Sequence, residues 1–178
     1  MRHGQTFWNA EGRLQGALDS PLTPLGVAQA KALGRLTAQI AGRCFSSPQG
    51  RARQTADFAF AGRKWTTDAR LSEVAIGDFA GRLLSEVRAT HPATFNGQSL
   101  DWYDRCPNGE GFAALAARCR SFLADLQGPT LIVTHGVTLR MLRLLALGRN
   151  ISDISDGDMA QGVVYHIKDG VSGLLHGR

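Results

Sequence analysis

The sequence predicts a three-layer α/β/α domain with a mostly parallel central sheet. Three observations predict it. Short strand candidates alternate with stretches whose apolar residues recur at helical spacing. Thr130-Leu131-Ile132-Val133-Thr134 is apolar enough to be covered on both faces, as central parallel strands are. Two histidine loops, at His3 and His135, fall beyond predicted strand ends, where open α/β sheets bind ligands. A length of 178 residues suits one core, so residues 1–178 read as a single domain.

In chain order, Thr23-Pro24 starts a helix: threonine accepts an early N–H and proline fits the first turn. Leu25, Ala28, Ala32, Leu33, Leu36 and Ile40 form its expected apolar stripe, with Gly42 as the stop. Arg43-Cys44-Phe45 reads as a strand entering the turn Ser46-Ser47-Pro48. A helix with Arg51, Arg53 and Gln54 follows, and Phe58 is expected in the core. Leu71 to Gly81 reads as a loop at the site, and residues 82–90 as a short helix before His91-Pro92. Phe95 to Gly111 reads as a lid or wall with Trp102 and Tyr103, which makes residues 82–111 a substrate-side cap. Glu110 to Gln127 is a helix burying Phe112, Leu115, Cys119, Phe122 and Leu126. After the strand at 130–134 come a helix from Val137 to Leu147, a strand from Gly162 to Ile167, and a turn at Lys168-Asp169-Gly170 leading into the tail.

Composition narrows the function. The net charge of +5 favours anionic partners, but there is no long basic run or basic-aromatic repeat to grip nucleic acid. A small phosphorylated ligand needs only a local group of arginines. No apolar run reaches the ~20 residues that a bilayer requires. The start lacks the apolar stretch of a signal peptide, so a cytoplasmic protein is the expectation. Cys44, Cys106 and Cys119 are odd in number and widely spaced, fitting neither a disulfide scaffold nor a compact zinc site.

Arg2-His3-Gly4-Gln5-Thr6 with Trp8-Asn9 closely resembles the signature of the histidine phosphatase superfamily, which includes cofactor-dependent phosphoglycerate mutases. The likeness continues through Gly12-Arg13-Leu14-Gln15-Gly16, Asp19-Ser20-Pro21-Leu22-Thr23 and Gly26. It recurs at Ser46-Ser47-Pro48, Arg51-Ala52 and Gln54-Thr55-Ala56, then at Leu71-Ser72-Glu73, Gly77-Asp78 and Gly81. Pro107-Asn108-Gly109-Glu110 and His135-Gly136 complete an order that spans nearly the whole chain.

The resemblance implies that His3 attacks phosphorus and becomes a transient phosphohistidine, a task suited to a neutral imidazole nitrogen. It implies that Arg2, Arg51 and His135 hold the phosphoryl oxygens, with Asn9 and Gly136 also binding phosphate and Gln15 and Gly16 lining the substrate side. Arg53 competes with Arg51, but the two point about 200° apart on a helix and the family register favours Arg51. Glu73 matches the candidate general acid and base, with Asp78 as substitute. Thr6 is expected to hold the nucleophile loop, and Phe79-Ala80 replaces an aromatic-acidic pair common in the family. No cofactor or metal is implied, and vanadate is the expected type of inhibitor.

The stretch between Glu73 and His135 is short and lacks the basic segment by which the family's mutases grip a second anionic group. Phosphomonoester hydrolysis is therefore the expected activity. The alternatives are phosphoglycerate mutase, α-ribazole phosphatase, and a non-catalytic phosphate-binding or interaction protein. The expected partner is a small phosphorylated metabolite, with neither nucleic acid nor membrane, and a homodimer is left open.

Family members place a short apolar strand directly before this first motif, whereas here only Met1 and Arg2 precede His3. The expectation is a sheet that lacks its usual first strand, exposing core and main-chain polar groups. Two readings stay open: residues upstream of Met1 in the full protein, or a domain that is less stable or completed by a partner.

Overall fold

A computed structural model describes residues 1–157 and 159–176. Strands β1 (Arg43–Ser46), β2 (Thr66–Thr67) and β3 (Thr130–Val133) form a parallel sheet in the order β2-β1-β3. Arg43 stands opposite Thr130 and Ser46 opposite Val133, while Phe45 faces Thr66. The helices are α1 (Phe7–Glu11), α2 (Pro24–Thr37), α3 (Gly50–Ala59), α4 (Leu84–Thr90), α5 (Gly111–Ala124) and α6 (Gly136–Ala146). Strands β4 (Val164–Lys168) and β5 (Val171–Leu175) pair antiparallel as a separate hairpin.

Strand alternation divides the core into two faces. Cys44, Leu131 and Val133 pack with Leu33 of α2 and Ala52 and Ala56 of α3. Phe45 and Ile132 join the opposite cluster, which holds Leu115 and Phe122 of α5 and Val137 and Met141 of α6. The result is the expected three-layer α/β/α arrangement. Each fully buried large apolar side chain contributes about 1.5–3 kcal/mol, so these layers, more than the few strand hydrogen bonds, hold the short sheet together.

Helix α2 begins as its sequence dictates, with the Thr23 side chain accepting from the Gly26 N–H and Pro24 in the first turn. Its buried face differs from the expected stripe. Gly26, Ala30, Leu33 and Thr37 are buried, whereas Leu25 and Ala28 are exposed. Backbone contact turns the helix: a Cβ at Gly26 would lie only 2.0 Å from the Gln5 carbonyl oxygen. The helix ends at Thr37, and Gly42 belongs to the turn before β1.

Phe60, just past α3, takes the core position expected of Phe58. Phe58 is only half-buried and lies under the Lys31 ammonium. Strands β2 and β5 and helix α1 were not among the expected elements. The segment after Lys168 forms the second arm of a hairpin rather than a tail.

The first strand is reduced to a single parallel bridge between Arg2 and Thr134. The Met1 nitrogen donates to the Ile132 carbonyl at 2.8 Å, the Thr134 N–H to Met1 at 3.0 Å and the His3 N–H to Thr134 at 2.9 Å. Beside this remnant runs a groove of about 750 Å³, lined by Met1, Leu131, Ile132, Leu139, Val164 and Tyr165. No helix among the described residues is long and apolar enough to cross a membrane.

Candidate active site

The Arg2–Thr134 bridge places both histidines at one sheet end, because His3 follows Arg2 and His135 follows Thr134. Their ring centroids lie 5.1 Å apart with planes tilted by 59°. Both rings are buried. His3 Nδ1 lies 2.7 Å from the Gly4 carbonyl oxygen. A carbonyl oxygen only accepts, so Nδ1 carries the proton and Nε2 keeps its lone pair. Burial first, then the charges of Arg51 and Arg2, holds His3 well below the ordinary histidine range.

Arg51 reaches this lone pair from α3. Its Nε donates to His3 Nε2 at 3.3 Å, and its Nη2 to the Gly16 carbonyl at 3.0 Å. Nη1 donates to the Leu18 carbonyl at 2.6 Å and to Asp19 at 3.0 Å. The guanidinium is almost fully buried, and that burial lowers its pKa despite the Glu73 and Asp19 carboxylates.

His135 is the residue before α6, with no side-chain bond to that helix, and its Nε2 lies 2.7 Å from the Ser47 hydroxyl. Burial, then Arg51 and His3, lowers its pKa as well. Its buried Nδ1 has no hydrogen-bond partner. Arg2 donates through Nη1 to the Met159 carbonyl at 3.0 Å, and a Cβ at Gly136 would stand 3.5 Å from Arg2 Nε. The guanidinium thus lies against the first turn of α6, at a distance where an added Cβ would make ordinary van der Waals contact.

Glu73 points at that same helix start. Its Oε1 accepts from the Val74 and Thr138 N–H groups at 3.0 Å each, and Oε2 from the Val137 N–H at 3.2 Å. The Thr138 hydroxyl lies 3.0 Å from Oε1. A helix N-terminus concentrates unpaired N–H groups and partial positive charge, and here it receives the chain's own carboxylate.

On the substrate side, Gly16 has φ +51°, and its carbonyl accepts from both Arg51 and Gln49. Gln15 is buried, with its Oε1 unpartnered. Asn9 completes a capping box with Thr6 at the start of α1. Its Oδ1 also accepts from Gln161 at 3.4 Å, which leaves its amide nitrogen as the free donor end. Thr6 thus caps the helix that carries Asn9.

His3, Arg2, Arg51, Glu73, His135 and Gly136 come together. Asp78 does not join them: it is exposed and held by Asn108 at 3.1 Å. Arg53 is exposed, on the other side of α3 from Arg51. Trp102 packs in the core and stacks on Tyr103 at 3.8 Å. Burial, then the nearby Glu73 charge, pushes the Tyr103 phenol up. Sequence reasoning gave no role to Gln49, Ser47, Thr138 or Gln161. Only Ser47 lay within a recognisable motif.

A buried imidazole with an unprotonated nitrogen, two guanidinium groups, a second histidine and a carboxylate at one sheet end define a phosphoryl-transfer site. The model of the histidine phosphatase superfamily, branch 1, matches residues 1–170, and the chain belongs to that family. A "Probable phosphoglycerate mutase GpmB" of Yersinia enterocolitica is 36% identical over 160 residues, covering 83% of this chain and 73% of its own. The crystal structure of the α-ribazole phosphatase of Shigella flexneri superposes with a TM-score of 0.83 at 27% identity, covering 99% of this chain and 93% of that one. A mycobacterial glucosyl-3-phosphoglycerate phosphatase in complex with VO3 gives 0.79 at 27% identity, covering 93% and 90%. The general chemistry is phosphomonoester hydrolysis of the histidine-phosphatase type.

Substituting Gly16 tests the geometry. A Cβ there would lie 2.5 Å from Ile76 Cγ1, in a left-handed backbone that glycine favours. Gly16→Ala should cost about 1–3 kcal/mol and lower phosphatase activity, since the Gly16 carbonyl orients Arg51. Gly12→Ala has φ +70° and open space, so it should cost only about 1 kcal/mol and spare activity. Equal effects of the two substitutions, in denaturation and turnover, would contradict this account.

Proposed function

We propose that the protein hydrolyses small phosphomonoesters through a transient phosphohistidine on His3 Nε2. The observation that carries this reading is the bond from His3 Nδ1–H to the Gly4 carbonyl, which leaves Nε2 as a buried lone pair. Nε2 forms a bond to phosphorus as the bond to the alcohol oxygen breaks. Arg2, Arg51, His135, Asn9 and the Gly136 N–H hold the phosphoryl oxygens, and Gln15 and Gly16 line the alcohol side. An arriving phosphate replaces His3 as the acceptor of the Arg51 Nε–H, which frees the nucleophile.

Glu73 in its protonated form gives a proton to the leaving alkoxide. As a carboxylate it then takes a proton from the water that attacks the phosphohistidine, releasing inorganic phosphate and restoring His3. The three main-chain N–H groups that meet its side chain donate into the carboxylate, the state required for the second step, while the Thr138 hydroxyl gives its one proton to the Ser72 carbonyl at 2.7 Å. Proton delivery in the first step requires Glu73 to leave some of those donors.

Residues 82–111 form the substrate-side wall, and Tyr103 in it is close enough to Glu73 to feel its charge. The α-ribazole phosphatase likeness makes a ring-bearing phosphomonoester the narrower reading. The mutase relative favours a second reading, phosphoryl movement within 3-phosphoglycerate, although residues 82–111 carry no basic run to hold a second anionic group.

Reactions quenched in alkaline denaturant should trap a base-stable, acid-labile phosphoenzyme that is absent in His3→Ala. Glu73→Gln should lower turnover of alkyl phosphates by about 100-fold or more. Phosphate release should exceed any conversion of 3-phosphoglycerate to its isomer. Efficient isomerisation with little release would make the protein a mutase. Absence of both phosphoenzyme and phosphate release across a broad ester panel would favour a binding protein.

A further inference from the structure

Gln49 is the residue before α3, yet its side chain makes no capping hydrogen bond to that helix. It is directed to the loops around the site. Its Nε2 donates to the Gly16 carbonyl at 2.9 Å, the same oxygen that accepts from Arg51 Nη2 at 3.0 Å. Its Oε1 accepts from the Glu73 N–H at 2.7 Å. Its own backbone N–H donates to Ser47 Oγ at 3.3 Å, and that oxygen lies 2.7 Å from His135 Nε2.

One residue therefore ties the substrate-side loop, the Glu73 loop and the turn that supports His135. A side-chain amide is suited to this because it offers a donor and an acceptor at one end without adding charge. A carboxylate in its place would lose the bond to Gly16, and a lysine would lose the bond to Glu73. Glu73 has no other partner for its main-chain N–H among the hydrogen bonds of the described residues.

We infer that Gln49 is a positioning residue for Glu73: it fixes the backbone from which the acid reaches the leaving group, in register with the Gly16 carbonyl that orients Arg51. This rests on the proposed role of Glu73. It explains how a carboxylate on a loop with little regular structure can be held for proton transfer, where small displacements cost large factors in rate. Gln49 does not touch the nucleophile: the His3 ring and main chain are held by Gly4 and Thr134, and the tie meets His3 only through Arg51, which keeps its bonds to Leu18 and Asp19.

The test compares Gln49→Met with the unchanged chain on two esters. An alkyl phosphate needs a proton on its leaving oxygen, whereas p-nitrophenyl phosphate releases an anion stable without one. Gln49→Met should lower kcat/KM about 10- to 100-fold on the alkyl ester and less than about 3-fold on the aryl ester. Exchange of the Glu73 amide hydrogen, followed by NMR, should become faster in the variant. Gln49→Glu retains an acceptor and should largely restore protection of that amide. Equal losses on both esters, no loss on either, or unchanged Glu73 exchange would each overturn the inference. If the unchanged chain formed no phosphohistidine, the functional reading would fail, while the exchange measurement would still decide whether Gln49 holds Glu73.

Discussion

The site depends on Thr134. Its N–H donates to Met1 and its carbonyl accepts from His3, at 3.0 and 2.9 Å, so both histidines are anchored across one residue pair. Its hydroxyl donates to the Leu71 carbonyl at 2.7 Å, two residues before Glu73. Nucleophile, second histidine and acid loop thus converge on a fully buried threonine at the end of β3. The pairing is only a single bridge, yet the apolar layers on both faces of β3 hold it in place.

Charge balance follows from burial. Arg51 and two histidines share a site with little solvent, and desolvation makes the neutral form of each imidazole the favoured one. Arg51 remains a cation because the carbonyls of Gly16 and Leu18 and the carboxylate of Asp19 accept its donors. The site therefore presents positive charge beside an uncharged nucleophile. A phosphate dianion offsets that charge on arrival, whereas a protonated His3 would have no lone pair with which to attack.

Much of this was legible in the sequence because the relevant signals are local. Thr23-Pro24 starts a helix through its own chemistry, and the apolar run at 130–134 specifies a covered strand. The first motif and the spacing of Arg51, Glu73 and His135 carried the candidate residues, which the fold brings to one place. What stayed hidden depends on tertiary contact. The rotation of α2 follows from Gly26 meeting the backbone at Gln5, and Phe60 displaces Phe58 because α3 ends just before it. Strand β2 has two residues, too few for any periodic signal. Gln49 is an unremarkable polar residue until Gly16 and Glu73 approach it from distant parts of the chain.

The groove beside β3 lies outside the chemistry. Its lining combines apolar side chains with Arg143, His166 and Lys168, and it includes Met1 but neither His3 nor His135. The chemistry rests instead on the state of the His3 ring. Nitrogen-15 NMR of the imidazoles reads that state directly. At pH 7 the account predicts a neutral His3 with the proton on Nδ1 and an unprotonated Nε2. An imidazolium at that pH, or a neutral ring protonated on Nε2, would contradict it.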